Sequence, residues 1–167
     1  MFIRTKKIKK NNYAYLVKNK WTKKGARQKV SKYLGRVQEP ERINETNYVF
    51  SSKESSAKEI IEDLIGWMLT NHGFVKNKRK WQKQDLCVNL ASLKVTARDK
   101  NSVLKLGEDY LCSYNLRKLL RFRSTKGQED VAIEFAKAFI QSGIPVPEEV
   151  FIHLFGIVYR PGQSYVK

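Results

Sequence analysis

Residues Phe2–Val37 read FIRTKKIKKNNYAYLVKNKWTKKGARQKVSKYLGRV. The stretch contains Arg4, Lys6, Lys7, Lys9, Lys10, Lys18, Lys20, Lys23, Lys24, Arg27, Lys29, Lys32 and Arg36, and no Asp or Glu before Glu39. It therefore holds +13 of a formal net charge of +17. A folded segment with this charge repels itself, and a polyanionic partner offsets that cost.

Two turn signals divide the stretch, Lys10-Asn11-Asn12 and Thr22-Lys23-Lys24-Gly25. Tyr13-Ala14-Tyr15-Leu16-Val17 between them is rich in β-formers. The pattern predicts three antiparallel strands, about Phe2–Lys9, Tyr13–Trp21 and Arg27–Val37. Alternation puts Ala14 and Leu16 on one face of the middle strand, and Val30 and Leu34 together on one face of the third. The opposite parity gathers Tyr13, Tyr15, Val17 and Trp21 with Arg27, Lys29 and Tyr33. One face suits packing on the remainder of the protein. The other interleaves cations with aromatics, as phosphates and bases require. The competing reading is a solvated basic sheet whose aromatics are core.

A basic strand, then Tyr13, Tyr15, Leu16 and Val17, a basic turn with Gly25, and then Arg27, Gln28, Lys32, Tyr33, Leu34, Gly35 and Arg36 resemble the N-terminal module of some DDE-type transposases. The resemblance covers under a quarter of the chain and implies contact of this module with DNA. It stops near Val37. Too few residues remain beyond it for a transposase catalytic domain, so it does not imply transposition.

The chain has 167 residues, 41% of them hydrophobic, which suits one domain or one domain with a small appendage. A pI near 9.9 points to DNA or RNA ahead of an anionic membrane surface. The sequence contains no apolar run of transmembrane length and no signal-peptide core, so the expectation is an intracellular, cytoplasmic protein without a membrane partner. Cys87 and Cys112 alone make neither a disulfide scaffold nor a zinc site, and read as buried free thiols.

Residues 1–37 form the basic module in this reading, 38–55 a linker, 56–160 an α+β domain and 161–167 a tail. Within the linker, Tyr48-Val49-Phe50 is either a short strand or an anchor. A capping box at Ser56 and Glu59 opens a helix to Asn71, with Ile60, Ile61, Leu64, Ile65, Met68 and Leu69 at helical spacing and Gly73 as its stop. His72 falls in the last turn, and Glu59, Glu62 and Asp63 read as a solvated acidic face. Phe74–Leu106 is β-rich, with a turn at Asp99–Ser102 and a returning strand at Val103–Leu106. Lys76, Lys78, Arg79, Lys80, Trp81 and Lys83 make a basic, aromatic hairpin tip, a second contact candidate. Ser113 is placed as the cap of a helix to Arg123 with Arg117, Lys118, Arg121 and Arg123 on its basic side. A helix over Gln128–Gln141 and a last helix with Pro147 in its first turn come next, and Val150, Phe151, Leu154, Phe155 and Ile157 serve core packing or a homodimer contact. His153 reads as a histidine at the core edge.

No phosphate-binding glycine loop or dinucleotide fingerprint is present, and no Ser or Cys has an assignable His–acid pair. A metal-dependent nuclease needs clustered carboxylates. Asp85, Asp99, Glu108 and Asp109 are the only candidates in the β-rich part, where the strand reads Ala91-Ser92-Leu93-Lys94 without an acid-x-lysine. The sequence thus points to an α+β protein: a basic three-stranded antiparallel module, about four helices and a small antiparallel sheet. Its expected role is non-catalytic nucleic-acid binding without cofactor or metal, leaning to duplex DNA. Structured-RNA or ribosome association and a protein-binding adaptor are the alternatives, and a nuclease is the weakest.

Overall fold

A computed structural model describes residues 1–23, 25–50, 55–124 and 127–159. Lys24 of the basic turn, the end of the linker and the tail from Arg160 onward lie outside the described residues. The elements run β1 (Phe2–Ile8), β2 (Asn11–Thr22), β3 (Gly25–Gln38), α1 (Ala57–Asn71), β4 (Val75–Asn77), β5 (Lys80–Lys83), β6 (Leu86–Asn89), β7 (Lys94–Ala97), β8 (Lys100–Leu106), β9 (Asp109–Cys112), α2 (Ser113–Leu120), α3 (Gln128–Ser142) and α4 (Glu148–Val158). The protein is mixed α+β. Its described strands form one mostly antiparallel open sheet in the order β1-β2-β3-β8-β7-β6-β5-β4, with β9 also on β8.

The three N-terminal strands form as the alternation predicts. Their outer end differs from the prediction, because β3 carries two extra residues against β2. Ala14 pairs with Gly35 but Tyr15 with Tyr33, and Leu16 pairs with Lys32 but Val17 with Val30, so Leu34 and Ser31 are bulged. Each bulge flips the alternation of the residues beyond it. Val30 therefore joins Val17 and is exposed, whereas Leu34 is buried. Arg27 and Lys29 stand opposite Lys20 and Lys18, across the ribbon from Tyr33 and Trp21.

The one parallel junction among the described strands, Arg36–Gln38 on Ser102–Leu104, continues the basic strands into the sheet of the body. The Ser102 hydroxyl donates to the Arg36 carbonyl at 2.9 Å. Ala14, Leu16, Leu34 and Val37 close over Val103 and Cys112 in a small core of their own. Each such aliphatic side chain larger than alanine contributes about 1.5–3 kcal/mol on burial. Burial pushes the Cys112 thiol up, while Cys87 is only half-buried.

The main core is built from the apolar faces of all four helices. Ile60, Ile61, Leu64, Ile65 and Leu69 of α1 meet Leu116 and Leu119 of α2, Phe135 and Phe139 of α3, and Val150 and Leu154 of α4 over Val88, Val95, Leu104 and Leu111. Both halves of the Ser56–Glu59 capping box are present. Before α1, Tyr48 is an anchor rather than a strand: it packs edge-on against Trp67 with centroids 5.6 Å apart. The Ile43 and Asn44 amides donate to the Asn71 carbonyl, and the Trp67 indole donates to the Thr46 carbonyl.

Three boundaries move. Ser113 does not cap α2; it is the first helical residue, and its hydroxyl accepts from the Val95 amide at 3.0 Å. That helix ends at Leu120 rather than Arg123. The turn before β8 is Arg98-Asp99, both left-handed, so Lys100–Ser102 is strand. No helix among the described residues is long and apolar enough to cross a membrane.

Candidate nucleic-acid interface

The register of β1–β3 sorts the basic module into rows. Residues directly opposite one another in antiparallel strands present side chains to the same face. Arg4, Tyr15 and Tyr33 make one row; Lys6, Tyr13 and Arg36 make the next. Each row sets a tyrosine beside a cation. The Tyr33 ring lies 5.4 Å from Tyr15 and 6.4 Å from Tyr13, centroid to centroid. Desolvation raises the Tyr33 pKa, with smaller contributions from Tyr13 and Tyr15. A depression of about 500 Å³ borders the first row, lined by Arg4, Lys6, Tyr15 and Val17 among others. Arg4 also donates to the Gln28 side chain, which braces β1 toward β3.

Beyond Val17 the β2–β3 hairpin leaves the body. Every described residue from Lys18 to Tyr33 is exposed, on both faces of the ribbon. Five strand residues at a rise near 3.4 Å give a projection of about 15 Å. Lys18, Lys20, Arg27 and Lys29 cluster on one face as two cross-strand pairs of like charge. Such pairs repel, and no protein carboxylate among the described residues neutralises them. Trp21 stands near the tip, 81% exposed, on the face of the tyrosine rows. Lys23 is in the tip itself. Lys7, Lys9 and Lys10 lie around the β1–β2 turn, at the other end of these strands.

The other predicted patches do not all join this surface. Lys76, Lys78, Arg79 and Lys80 lie on the β4–β5 hairpin, at the opposite end of the strand order from β1. Arg79 pairs with Glu62 of α1, and the Lys76 ammonium sits 5.7 Å from the Trp81 ring centroid. Trp81 itself is buried in the main core, with its ring against Gly66, and presents no face for stacking on a base. Its apolar bulk outweighs the local charge that suggests a contact. Lys83 is half-buried, donating to the His72 carbonyl at 2.7 Å. Lys118 donates to the Gln141 side chain at 2.9 Å. Arg121 and Arg123 are exposed beyond the core-facing residues of α2. Arg117 comes back toward the module: with Lys32 it lines a cleft that also holds Asn101 and Tyr114.

Two further cations join the surface from outside the predicted patches. Arg98 and Lys100 line a groove of about 800 Å³ with Tyr13, Tyr33 and Arg36, brought there by the parallel β3–β8 junction. Arg98 is held by Asp85 at 2.7 Å. No local sequence signal marks them, since the junction spans residues far apart in the chain.

The acidic candidates do not converge. Asp85 and Asp99 lie in turns flanking β6–β7, while Glu108 and Asp109 are at the far end of β8. Among the described residues no group of three or more His, Cys, Asp or Glu could hold a metal ion. Glu59 belongs to the capping box and Glu62 to Arg79. His72 is buried and binds the Met68 carbonyl through Nδ1 at 2.9 Å. His153 packs on Phe50, centroids 5.2 Å apart.

No protein-family model matches the chain, and neither a curated protein nor a solved structure matches it.

Proposed function

We propose that the protein binds nucleic acid without catalysis, through the exposed half of the β2–β3 ribbon and the tyrosine–cation rows at its base. The observation that carries this reading is the ribbon: Lys18, Lys20, Lys23, Arg27 and Lys29 stand in solvent on a two-stranded element with no acid on it. Like-charged pairs across a ribbon weaken the fold, so their benefit lies with a partner.

A two-stranded ribbon fits the major groove of duplex DNA. Its cationic face would neutralise phosphates and supply most of the affinity. The resemblance of residues 2–37 to transposase N-terminal modules points the same way, to duplex DNA. The tyrosine rows and Trp21 favour a second reading, structured RNA, because unpaired bases stack on such rings.

The test is binding to matched duplex DNA, duplex RNA and structured RNA across a salt series, for the natural protein and for Lys18→Ala, Lys20→Ala, Arg27→Ala and Lys29→Ala combined. Each lost phosphate contact lowers the log–log salt slope by about 0.9 on B-DNA, so the combined variant should lose about 3–4 in slope. Its circular dichroism should be unchanged, because all four side chains are exposed. Equal affinity and slope would remove the ribbon from the interface. Absence of binding to every probe at low salt would refute nucleic-acid binding altogether.

A further inference from the structure

A second concavity of a different character is elsewhere on the molecule. A groove of about 1020 Å³ runs between residues 39–42, the β8–β9 turn, α3 and the start of α4. Its floor is apolar, with Phe139, Ile144, Val146 and Phe151. Ile140 on its α3 side is 62% exposed and extends that apolar surface.

The rim has the opposite sign to the rest of the protein. Glu39, Glu41, Glu108, Asp109 and Glu148 line it, against Arg42 and Lys105. Lys105 is 3.9 Å from Glu39. Among the described residues Glu41, Glu108, Asp109 and Glu148 have no ion-pair partner. In a chain of 33 Lys and Arg against 16 Asp and Glu, leaving these four unpaired around one apolar floor is the opposite of the global balance. Burial raises the Asp109 pKa, and the neighbouring Glu108 charge adds to it. A cation placed there would offset the Glu108 repulsion.

We propose that this groove docks a segment of a partner protein that carries large apolar side chains flanked by lysine or arginine, as a basic amphipathic helix does. The floor takes the apolar anchors and the rim carboxylates take the flanking cations. An acidic or nucleic-acid ligand is disfavoured by the same rim. The groove shares Glu39, Pro40 and Glu41 with the concavity beside Tyr13, Tyr33 and Arg36 but none of the ribbon's cations, so this proposal does not depend on nucleic-acid binding by the ribbon.

The test uses the full chain and a fluorescent peptide of two Leu-Lys-Lys-Leu-Leu-Lys-Leu repeats, read by anisotropy. A counterpart with Glu for every Lys is the control. The net charge of +17 repels the lysine peptide from most of the surface, so saturable binding reports the acidic groove. Ile140→Arg and Glu108→Arg are exposed changes that should each weaken lysine-peptide binding by about tenfold or more. Thermal unfolding and nucleic-acid affinity should stay as in the natural protein. Absence of saturable binding, or binding that neither substitution alters, would overturn the proposal. So would a dimer in sedimentation that Ile140→Arg dissolves, because the groove would then belong to a second copy of this chain. Loss of nucleic-acid binding alone would bear only on the ribbon.

Discussion

Gly35→Ala should loosen the whole junction between the basic strands and the body. Gly35 has φ +138°, a conformation that alanine adopts only under strain. A Cβ built there would clash with the Asn101 carbonyl oxygen and lie 2.8 Å from the Ser102 Cα. Both are backbone atoms of β8, so no side chain can rotate away. Strained backbone costs about 1–3 kcal/mol. Overpacking a tight contact adds about 1–3 kcal/mol. The sum, about 2–6 kcal/mol, is a large share of the roughly 5–15 kcal/mol typical of a folded domain. In a domain of this size it corresponds to a fall in Tm on the order of 10 °C. Gly25→Ala is the matched control. Gly25 has φ +99° but nothing within 4 Å of its Cβ position, and it sits at the ribbon tip, where strain is relieved by local fraying. Its cost should stay within about 1–2 kcal/mol. Urea denaturation followed by circular dichroism measures both. Hydrogen exchange should show the extra opening of Gly35→Ala at Arg36–Gln38 and Ser102–Leu104, the paired residues. If Gly35→Ala is no more destabilising than Gly25→Ala, the close approach of β3 to β8 is wrong, and with it the continuity of the sheet.

Trp81→Ala should cost about 3–5 kcal/mol in urea denaturation, as for other buried aromatics; nucleic-acid affinity of the folded fraction should not change, and a selective loss of affinity would return Trp81 to the interface. His72 is held below its ordinary pKa of 6.5, first by burial and then by the charges of Arg42 and Lys83, with the Met68 carbonyl working the other way. The unfolded chain therefore binds this proton at higher pH than the fold does. Stability should be full above about pH 6.5 and decline as pH falls from there toward the lower folded value; His72→Gln should flatten that segment of a stability–pH profile, and an unaltered slope would show that another group causes it. Trp21→Ala should leave thermal stability within about 0.5 kcal/mol, since the ring is exposed. If the indole stacks on a base, the same change weakens nucleic-acid binding by about 1–3 kcal/mol, and unchanged affinity would place Trp21 outside the contact.

Helices are legible in the sequence where periodicity and capping agree. α1 is the clear case, with Ser56, Glu59 and six apolar residues in register. The N-terminal strands are legible for the same reason, through alternation bounded by turn residues. Alternation cannot reveal the pair of bulges at Ser31 and Leu34. A bulge adds a residue without any residue type that demands it, so simple parity places Arg27, Lys29 and Val30 on the wrong face. The sequence reads β5 as part of a hairpin tip and Cys87–Val95 as one or two strands, because the turns are Lys78-Arg79, Gln84-Asp85 and Leu90–Leu93. Lys78, Gln84 and Leu93 take left-handed conformations without glycine, so the usual hairpin signal is missing. Charge density alone assigns Lys83 and Trp81 to the interface. Only tertiary packing shows that one serves the His72 carbonyl and the other the core. The acidic groove leaves no sequence signal, because Glu39 and Glu41, Glu108 and Asp109, and Glu148 are far apart along the chain.

The distribution of charge is explained by these placements. Thirteen cations in one compact layer would repel strongly if the surroundings were of low dielectric. The fold avoids this by burying the module at only one end, through Ala14, Leu16, Leu34 and Val37, none of which is charged. The cationic half of the ribbon is instead lifted into water, where ions screen charges beyond about 8 Å at physiological ionic strength. The two bulges divide the ribbon's chemistry between its faces. Together they set Arg27 and Lys29 directly across from Lys20 and Lys18, away from the tyrosine rows. One face is then a cationic strip suited to phosphates, and the other an aromatic one flanked by Arg4, Lys6 and Arg36. With only the bulge at Leu34, the alternation beyond Tyr33 would return Arg27 and Lys29 to the side of Trp21 and leave Lys18 and Lys20 without their cationic partners. The second bulge, at Ser31, therefore determines the chemistry of both faces. The first, at Leu34, places an apolar side chain in the small core that holds the arm to the body.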